Sequence, residues 1–133
     1  MALSAEQTLD IHRLVALHGH LADTGEFDRF AEVFTDDIVY DMTGIGFGTL
    51  RGAAELRAAA LDPGEGNPVG HHVTNTMVTQ TADGEVRARS KFLGVLRDGR
   101  TGSGVYEDRL TATAAGWRIT HRAILPAKAP IGA

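Results

Sequence analysis

The sequence predicts an α+β domain, with helices in the first part of the chain and an antiparallel sheet in the second. Three observations support this fold class. Apolar residues recur at helical spacing before position 62, a loop rich in proline and glycine follows, and apolar and polar residues alternate from position 71 onward. Helices that precede a run of hairpin-connected strands pack together against the resulting sheet. We therefore expect the helices to cover one face of a mostly antiparallel sheet.

The first helix is predicted from a capping box and an apolar stripe. Ser4 and Gln7 have the spacing at which two side chains satisfy the free N–H groups of a helix start. Gly25 suits the left-handed position that follows a helix. The apolar stripe between them consists of Ile11, Leu14, Val15, His18 and Leu21. The helix should therefore end near Gly25.

The middle of the chain predicts two more helices and a strand. Three phenylalanines and an alanine continue the helical period over 27–34, and the turn-prone residues 35–37 follow. A short strand is predicted over 38–42. After several glycines, the Ala-rich segment 53–61 has strong helix propensity. The Pro- and Gly-rich segment 62–70 is predicted to be a loop.

Four strands are predicted in the second part of the chain. Their ranges are His71 to Gln80, Glu85 to Arg97, Arg100 to Thr113 and Trp117 to Leu125. Asp98-Gly99 is the strongest hairpin turn in the sequence, because both residue types tolerate positive φ. Ala115-Gly116 offers a second turn. These turns predict that the last three strands form an antiparallel meander.

Length and composition predict one folded domain over residues 1–133. The 133 residues can build a real core but are too few for two domains. The chain is 43% hydrophobic and 23% charged, which is the balance of an ordinary globular protein.

Composition also argues against several classes of site and partner. The chain has no cysteine, which excludes disulfides, thiolate nucleophiles and Cys-ligated metals. Its net charge of -4 opposes binding to a phosphate backbone, so no nucleic-acid partner is expected. No segment has the pattern of a signal peptide or a membrane span, so we expect a cytoplasmic protein without a membrane partner.

No metal or organic cofactor is predicted. His18 and His20 are two positions apart on a helix and do not face each other, which makes them poor joint metal ligands. Gly44 and Gly46 superficially resemble the start of a dinucleotide loop. Thr49, however, occupies the position of the third glycine that this loop requires.

Four short segments, in their order and spacing, resemble the nuclear-transport-factor-2-like superfamily. They span residues 34–37, 71–75, 104–108 and 116–119. Within that superfamily the sequence is most similar to the SnoaL-like branch, which includes polyketide cyclases and scytalone dehydratase. The resemblance implies a cone-shaped α+β barrel with a strongly curved sheet around a pocket, and frequently a homodimer.

The resemblance also implies a catalytic pair, Asp23 and His72, of the kind used for cofactor-independent elimination. A carboxylate fixes the tautomer of an imidazole and stabilises its protonated form, so such a pair can move a proton on carbon. His71 and His72 are adjacent on a strand, so only one of them can enter the pocket, and the resemblance selects His72. Asn75 lies three positions after His72, so its side chain points to the opposite face of a regular strand. A β-bulge between them would be needed for both side chains to enter the pocket.

Four further residues are candidates for contact with a substrate: Tyr40, Tyr106, Asp108 and His18. A phenol in a pocket can donate a hydrogen bond to a carbonyl oxygen, although tyrosines also serve as amphipathic edges of a core. Asp108 shares an inward strand face with Tyr106, so it either pairs with an arginine such as Arg122 or belongs to the site. The side chain of His18 can either reach the pocket or serve only as a packing residue of the core.

Three functions remain open on the sequence. The first is a cofactor-independent lyase or isomerase acting on a small hydrophobic oxygenated substrate, such as a polyketide or aromatic intermediate. The second is a non-catalytic module that binds a small ligand in the same pocket. The third is a structural dimer whose exposed sheet face is the functional surface. The strand face bearing Arg87, Arg89 and Lys91 is interpreted as a solvated outer face or a dimer rim.

Overall fold

A computed structural model describes residues 2–128 and confirms the α+β class. Within these described residues the α-helices are α1 (Ala5–Asp23) and α2 (Ala53–Leu61). The strands are β1 (Phe34–Asp41), β2 (Thr49–Arg51), β3 (Gly70–Gln80), β4 (Val86–Val95), β5 (Thr101–Thr113) and β6 (Gly116–Pro126). Neither helix is long and apolar enough to cross a membrane.

The six strands form one curved sheet in the order β2-β1-β6-β5-β4-β3. Neighbouring strands are antiparallel except for β1 and β6, which are parallel. Because β2 and β3 lie at the two edges and do not pair with each other, the sheet stays open and is not a closed barrel. We call the face that the helices cover the inner face and the opposite one the outer face.

The capping box of the first helix is present as predicted. The Ser4 side chain accepts a hydrogen bond from the Gln7 backbone, and the Gln7 side chain accepts one from the Ser4 backbone. The apolar stripe of α1 is buried, with Ile11 and Val15 at 1% exposure or less. This stripe holds α1 against the inner face, so the end of the helix is brought to β3.

The segment predicted as a second helix is shorter than expected. It forms a 3₁₀ helix over Phe27–Glu32, and β1 already begins at Phe34, so residues 35–37 lie in a strand instead of a turn. Phe34 is buried and pairs with Ile119 of β6. This long-range pairing outweighs the local turn propensity.

A β-bulge interrupts β3 at Asn75. This residue has φ of 54°, and the pairing register with β4 shifts between Thr74 and Met77. The bulge lets His71, before it, and Thr76, after it, lie on the same inward side, where Thr76 bonds Ser90 of β4. Asn75 itself is exposed, so it stays outside the candidate site.

Candidate active site

A cavity of about 190 Å³ lies between the helices and the inner face of the sheet. Most of its wall is apolar, contributed by Ala22, Phe27, Phe30, Met42, Leu50, Leu56, Ala59 and Ala60. Its polar wall consists of His18, Tyr40, Asn67, His71 and Tyr106. The cavity therefore suits a compact, mainly apolar molecule that carries a few oxygen atoms.

Asp23 and His71 form a hydrogen-bonded pair at this cavity. Asp23 is the last residue of α1, and its Oδ1 lies 2.6 Å from Nδ1 of His71. The carboxylate also accepts the backbone N–H of His71, at 2.9 and 3.1 Å from its two oxygens. Because a carboxylate only accepts, Nδ1 carries a proton, and in the neutral imidazole Nε2 then has a free lone pair. The helix end therefore fixes both the position and the tautomer of this imidazole.

The prediction that His72 enters the pocket is wrong. His72 is exposed, since neighbouring residues of a strand point to opposite faces and His71 takes the inward one. Asp23 is part of the pair as expected, but its partner is His71. Strand parity could have shown this, because His71 shares its parity with the partly buried Val73 whereas His72 shares its parity with the exposed Thr74.

An ion pair between Asp108 and Arg122 is buried behind the cavity. Two hydrogen bonds of 2.7 and 2.8 Å join the guanidinium to the carboxylate, and both side chains are 0% exposed. Arg122 stands opposite Asp108 on one side and Tyr40 on the other in the strand register. Burial lowers the pKa of Arg122, but the charge and hydrogen bonds of Asp108, together with the two nearby tyrosines, outweigh burial and raise that pKa. Asp108 thus pairs with Arg122, and its sealed carboxylate does not reach a substrate.

Arg122 also reaches His18, which lies on α1. Its Nη1 is 3.1 Å from Nδ1 of His18, and its guanidinium lies 4.0 Å from the centroid of the Tyr106 ring. The His18 ring is 6.1 Å from the ring of His71, centroid to centroid. Burial lowers the pKa of His18 well below its ordinary value, and the charges of Arg122 and His71 lower it further. His18 is therefore a neutral imidazole within the cavity wall.

Two tyrosines complete the polar wall of the cavity. Tyr40 and Tyr106 are both buried, and burial raises the pKa of each phenol above its ordinary value. Both hydroxyls therefore stay protonated and can donate hydrogen bonds. Tyr106 is held in place by stacking on Phe92, at a ring separation of 4.5 Å.

Comparison with known proteins identifies the family. The SnoaL-like domain matches residues 4–123, which is nearly the whole chain. The chain belongs to the SnoaL-like family. None of the curated proteins compared with it matches.

Solved structures share this SnoaL-like fold over almost their full length. A proposed aromatic ring hydroxylase from Novosphingobium aromaticivorans is 29% identical, with a TM-score of 0.79 over 96% of this chain and 94% of that one. An NTF2-like protein with a cystatin-like fold from the same organism is 26% identical, with a TM-score of 0.71 over 96% and 86%. A proposed scytalone dehydratase, also from Novosphingobium aromaticivorans, is 19% identical, with a TM-score of 0.73 over 98% and 99%, and shows the fold alone.

The outer face of this SnoaL-like sheet carries a second, larger hollow of about 460 Å³. Its charged walls are already paired, since Arg87 contacts Glu85 and Arg89 contacts Glu107. The Asp23–His71 pair lies on the other side of the sheet. We therefore place the candidate active site in the smaller inner cavity, where the polar groups converge. Within residues 2–128, no three His, Asp or Glu residues are grouped so that they could hold a metal ion.

Replacing Gly19 with alanine is expected to disturb the Asp23–His71 pair. A Cβ at position 19 of α1 would lie 2.8 Å from the backbone oxygen of His71, so helix and strand must separate. This overpacking outweighs the gain in helix propensity, and we expect a loss of about 1–3 kcal/mol in unfolding free energy. Denaturant unfolding measures it. The matched control is Gly102→Ala, where no atom lies within 4 Å of the added Cβ; an equal effect at both positions would contradict this account.

The lowered pKa of His18 predicts how stability depends on pH. Below about pH 6.5 the unfolded chain protonates this histidine but the folded chain does not. The unfolded state then binds more protons, so acid destabilises the fold by up to about 1.4 kcal/mol per pH unit from this group. Denaturant unfolding between pH 5 and 8 should show a smaller acid slope in His18→Gln than in the unmodified protein. Equal slopes would show that His18 titrates normally in the fold.

Proposed function

We propose that this SnoaL-like protein is a cofactor-independent lyase or isomerase that moves a proton on a small, hydrophobic, oxygenated molecule. The observation that carries the proposal is the contact between Asp23 and His71, which leaves Nε2 of His71 as a free base at the cavity. Asp23 stabilises the imidazolium that forms when Nε2 takes a proton. Because the carboxylate also binds the His71 backbone, the base is held in place before a substrate arrives.

The chemistry starts at a carbon next to a carbonyl group. Nε2 of His71 takes the proton, the electrons of the C–H bond form a C=C bond, and the carbonyl π electrons move to oxygen to give an enolate. In a dehydration, the enolate electrons return and expel a hydroxyl group from the β carbon. That hydroxyl takes the proton back from the imidazolium and leaves as water. In an isomerisation, the proton returns to a different carbon and no atom is lost.

The shape and lining of the cavity indicate the size of the substrate. At about 190 Å³ it is smaller than the roughly 300–1,000 Å³ of pockets for drug-sized ligands, which favours a molecule of one or two rings. Its wall is largely aromatic and aliphatic, and the Tyr40 and Tyr106 hydroxyls are available to substrate oxygens. A polyketide or aromatic intermediate with a β-hydroxy ketone has these features, and a solved relative is named as a proposed scytalone dehydratase.

Deuterium incorporation tests the proposal directly. The protein is incubated in D₂O with β-hydroxy ketones of one or two rings, such as 3-hydroxycyclohexanone and 3-hydroxy-1-tetralone. Proton NMR is expected to show deuterium at the carbon next to the carbonyl, and loss of water, faster than in buffer alone. Saturable binding of these ketones without exchange or dehydration would instead support a non-catalytic ligand-binding module.

A further inference from the structure

The contact with Arg122 settles the tautomer of His18. A guanidinium nitrogen carries hydrogens and has no acceptor, so Nη1 of Arg122 donates and Nδ1 of His18 accepts, at 3.1 Å. In a protonated His18, Nδ1 would also carry a hydrogen and would point it at the Arg122 cation. The short contact between the two nitrogens excludes this form. A neutral imidazole that accepts through Nδ1 carries its proton on Nε2. His18 is therefore fixed as the Nε2–H form.

The guanidinium that fixes this tautomer is itself immobile. Asp108 holds it by two hydrogen bonds, and the rings of Tyr106 and Phe34 lie 4.0 and 5.4 Å from its central carbon. Its positive charge next to Nδ1 draws electrons toward that side of the imidazole. The Nε2–H bond of His18 is thereby polarised and becomes a stronger donor.

The Nε2–H group of His18 opens on the cavity. Within residues 2–128, the contact with Arg122 is the one hydrogen bond that the His18 ring makes. In that range, Oε1 of Glu85 is the one fully buried side-chain nitrogen or oxygen that lacks a hydrogen-bond partner. Nε2 of His18 also makes no hydrogen bond there, so it is not a fully buried atom and is not sealed in the core. His18 lines the cavity beside His71, whose ring stands at 68° to its own. The free donor and the free base thus share one cavity.

We propose that His18 donates its Nε2–H to a carbonyl oxygen of the bound substrate while His71 takes the proton from the neighbouring carbon. This inference rests on the proposed function and narrows its substrate class to ketones whose oxygen lies against His18. As negative charge grows on that oxygen in the enolate, the hydrogen bond from His18 strengthens. A neutral imidazole held by its surroundings can polarise a carbonyl in this way. Asp108 and Arg122 act as positioning residues for this donor.

A matched pair of ligands tests the donor without requiring turnover. Cyclohexanone offers a carbonyl oxygen, and methylenecyclohexane has nearly the same shape but no acceptor. NMR titration is expected to show that the unmodified protein binds the ketone more tightly. His18→Leu should weaken ketone binding by about tenfold, the worth of one hydrogen bond, and leave binding of the hydrocarbon unchanged. His18→Gln, which keeps an N–H donor, should recover part of the ketone affinity.

Three results would overturn the assignment of His18. In the first, His18→Leu weakens the binding of both ligands equally, which indicates that His18 only packs against them. In the second, His18→Leu changes the binding of neither ligand, and in the third the unmodified protein does not prefer the ketone. Nitrogen NMR of histidine-labelled protein adds an independent readout. It should show His18 protonated at Nε2 from pH 5 to 8, with that resonance shifting on addition of cyclohexanone. A proton on Nδ1 would contradict the proposal.

The same experiments separate this inference from the proposed function. In His71→Gln, deuterium exchange should be lost while the preference for cyclohexanone over methylenecyclohexane stays. Exchange that survives in His71→Gln counts against the proton-transfer proposal and leaves the donor role of His18 intact. Exchange that is normal in His18→Leu, with no loss of ketone preference, counts against His18 alone.

Discussion

Replacing His71 with glutamine is expected to lower the rate of deuterium incorporation into a β-hydroxy ketone by about 10²–10⁴-fold. The reason is that glutamine fills the same space but has no nitrogen lone pair to act as the base. His72→Gln is the matched control, because it makes the same change one residue away on the exposed side of β3. It should leave the rate unchanged. Initial rates from proton NMR in D₂O, at equal protein concentration, measure both variants.

Asp23→Asn extends this test to the second member of the pair. The amide cannot stabilise a protonated His71 as a carboxylate does, and its N–H₂ group favours the opposite imidazole tautomer. The rate should fall as in His71→Gln, and the double variant should be little slower than either single one, because the two residues act as a unit. Circular dichroism checks that each variant is folded. If His72→Gln is the damaging change and His71→Gln is not, the assignment of the base is wrong.

Much of the fold could be predicted because its signals are local. The capping box at Ser4 lies within four residues, and α2 runs over Ala53–Leu61 as its propensity indicates. The hairpin turn at Asp98-Gly99 is also present, with φ of 87° at Gly99. The alternation of apolar and polar residues then predicts where the long strands begin and end to within a few residues. Each of these features depends on neighbours in the sequence, so the sequence alone determines it.

The parts that escaped prediction depend on distant partners. β2 is only three residues long and exists because Thr49–Arg51 pairs with β1. Phe34 lies in a strand because β6, more than eighty residues later, offers it a parallel neighbour. Such pairing is not visible in a local period. The sequence therefore predicted the fold class and the order of elements but not the start of β1.

The candidate site was predicted in part for the same reason. His18, Tyr40 and Tyr106 line the cavity, and Asp23 contacts the cavity residue His71. The resemblance to relatives, however, gave the wrong one of two adjacent histidines. A shift of one residue in a strand exchanges the inward and outward faces, so a short motif cannot decide between them. The contact between His18 and Arg122 joins residues 104 positions apart, and no sequence pattern indicated it.

Replacing Asp108 with alanine is expected to cost about 3–5 kcal/mol of unfolding free energy. The change leaves the Arg122 guanidinium, which is 0% exposed, without its counter-charge and without two hydrogen bonds. Glu107→Ala is the matched control on the adjacent residue of β5. Glu107 and its partner Arg89 are 44% and 60% exposed, so losing that pair should cost no more than about 1 kcal/mol. Denaturant unfolding measures both, and similar costs would contradict the burial of the Asp108–Arg122 pair.

A double variant, Asp108→Leu with Arg122→Met, tests whether the charge of the pair affects ketone binding apart from its effect on the stability of the fold. Because apolar residues of similar size can replace a buried ion pair without net loss, most of the stability should return. His18 then loses the cation that fixes its tautomer, so the preference for cyclohexanone over methylenecyclohexane should weaken even though the fold is stable. A stable double variant with full ketone preference would show that Arg122 serves the core alone and that His18 needs no cation to act as a donor.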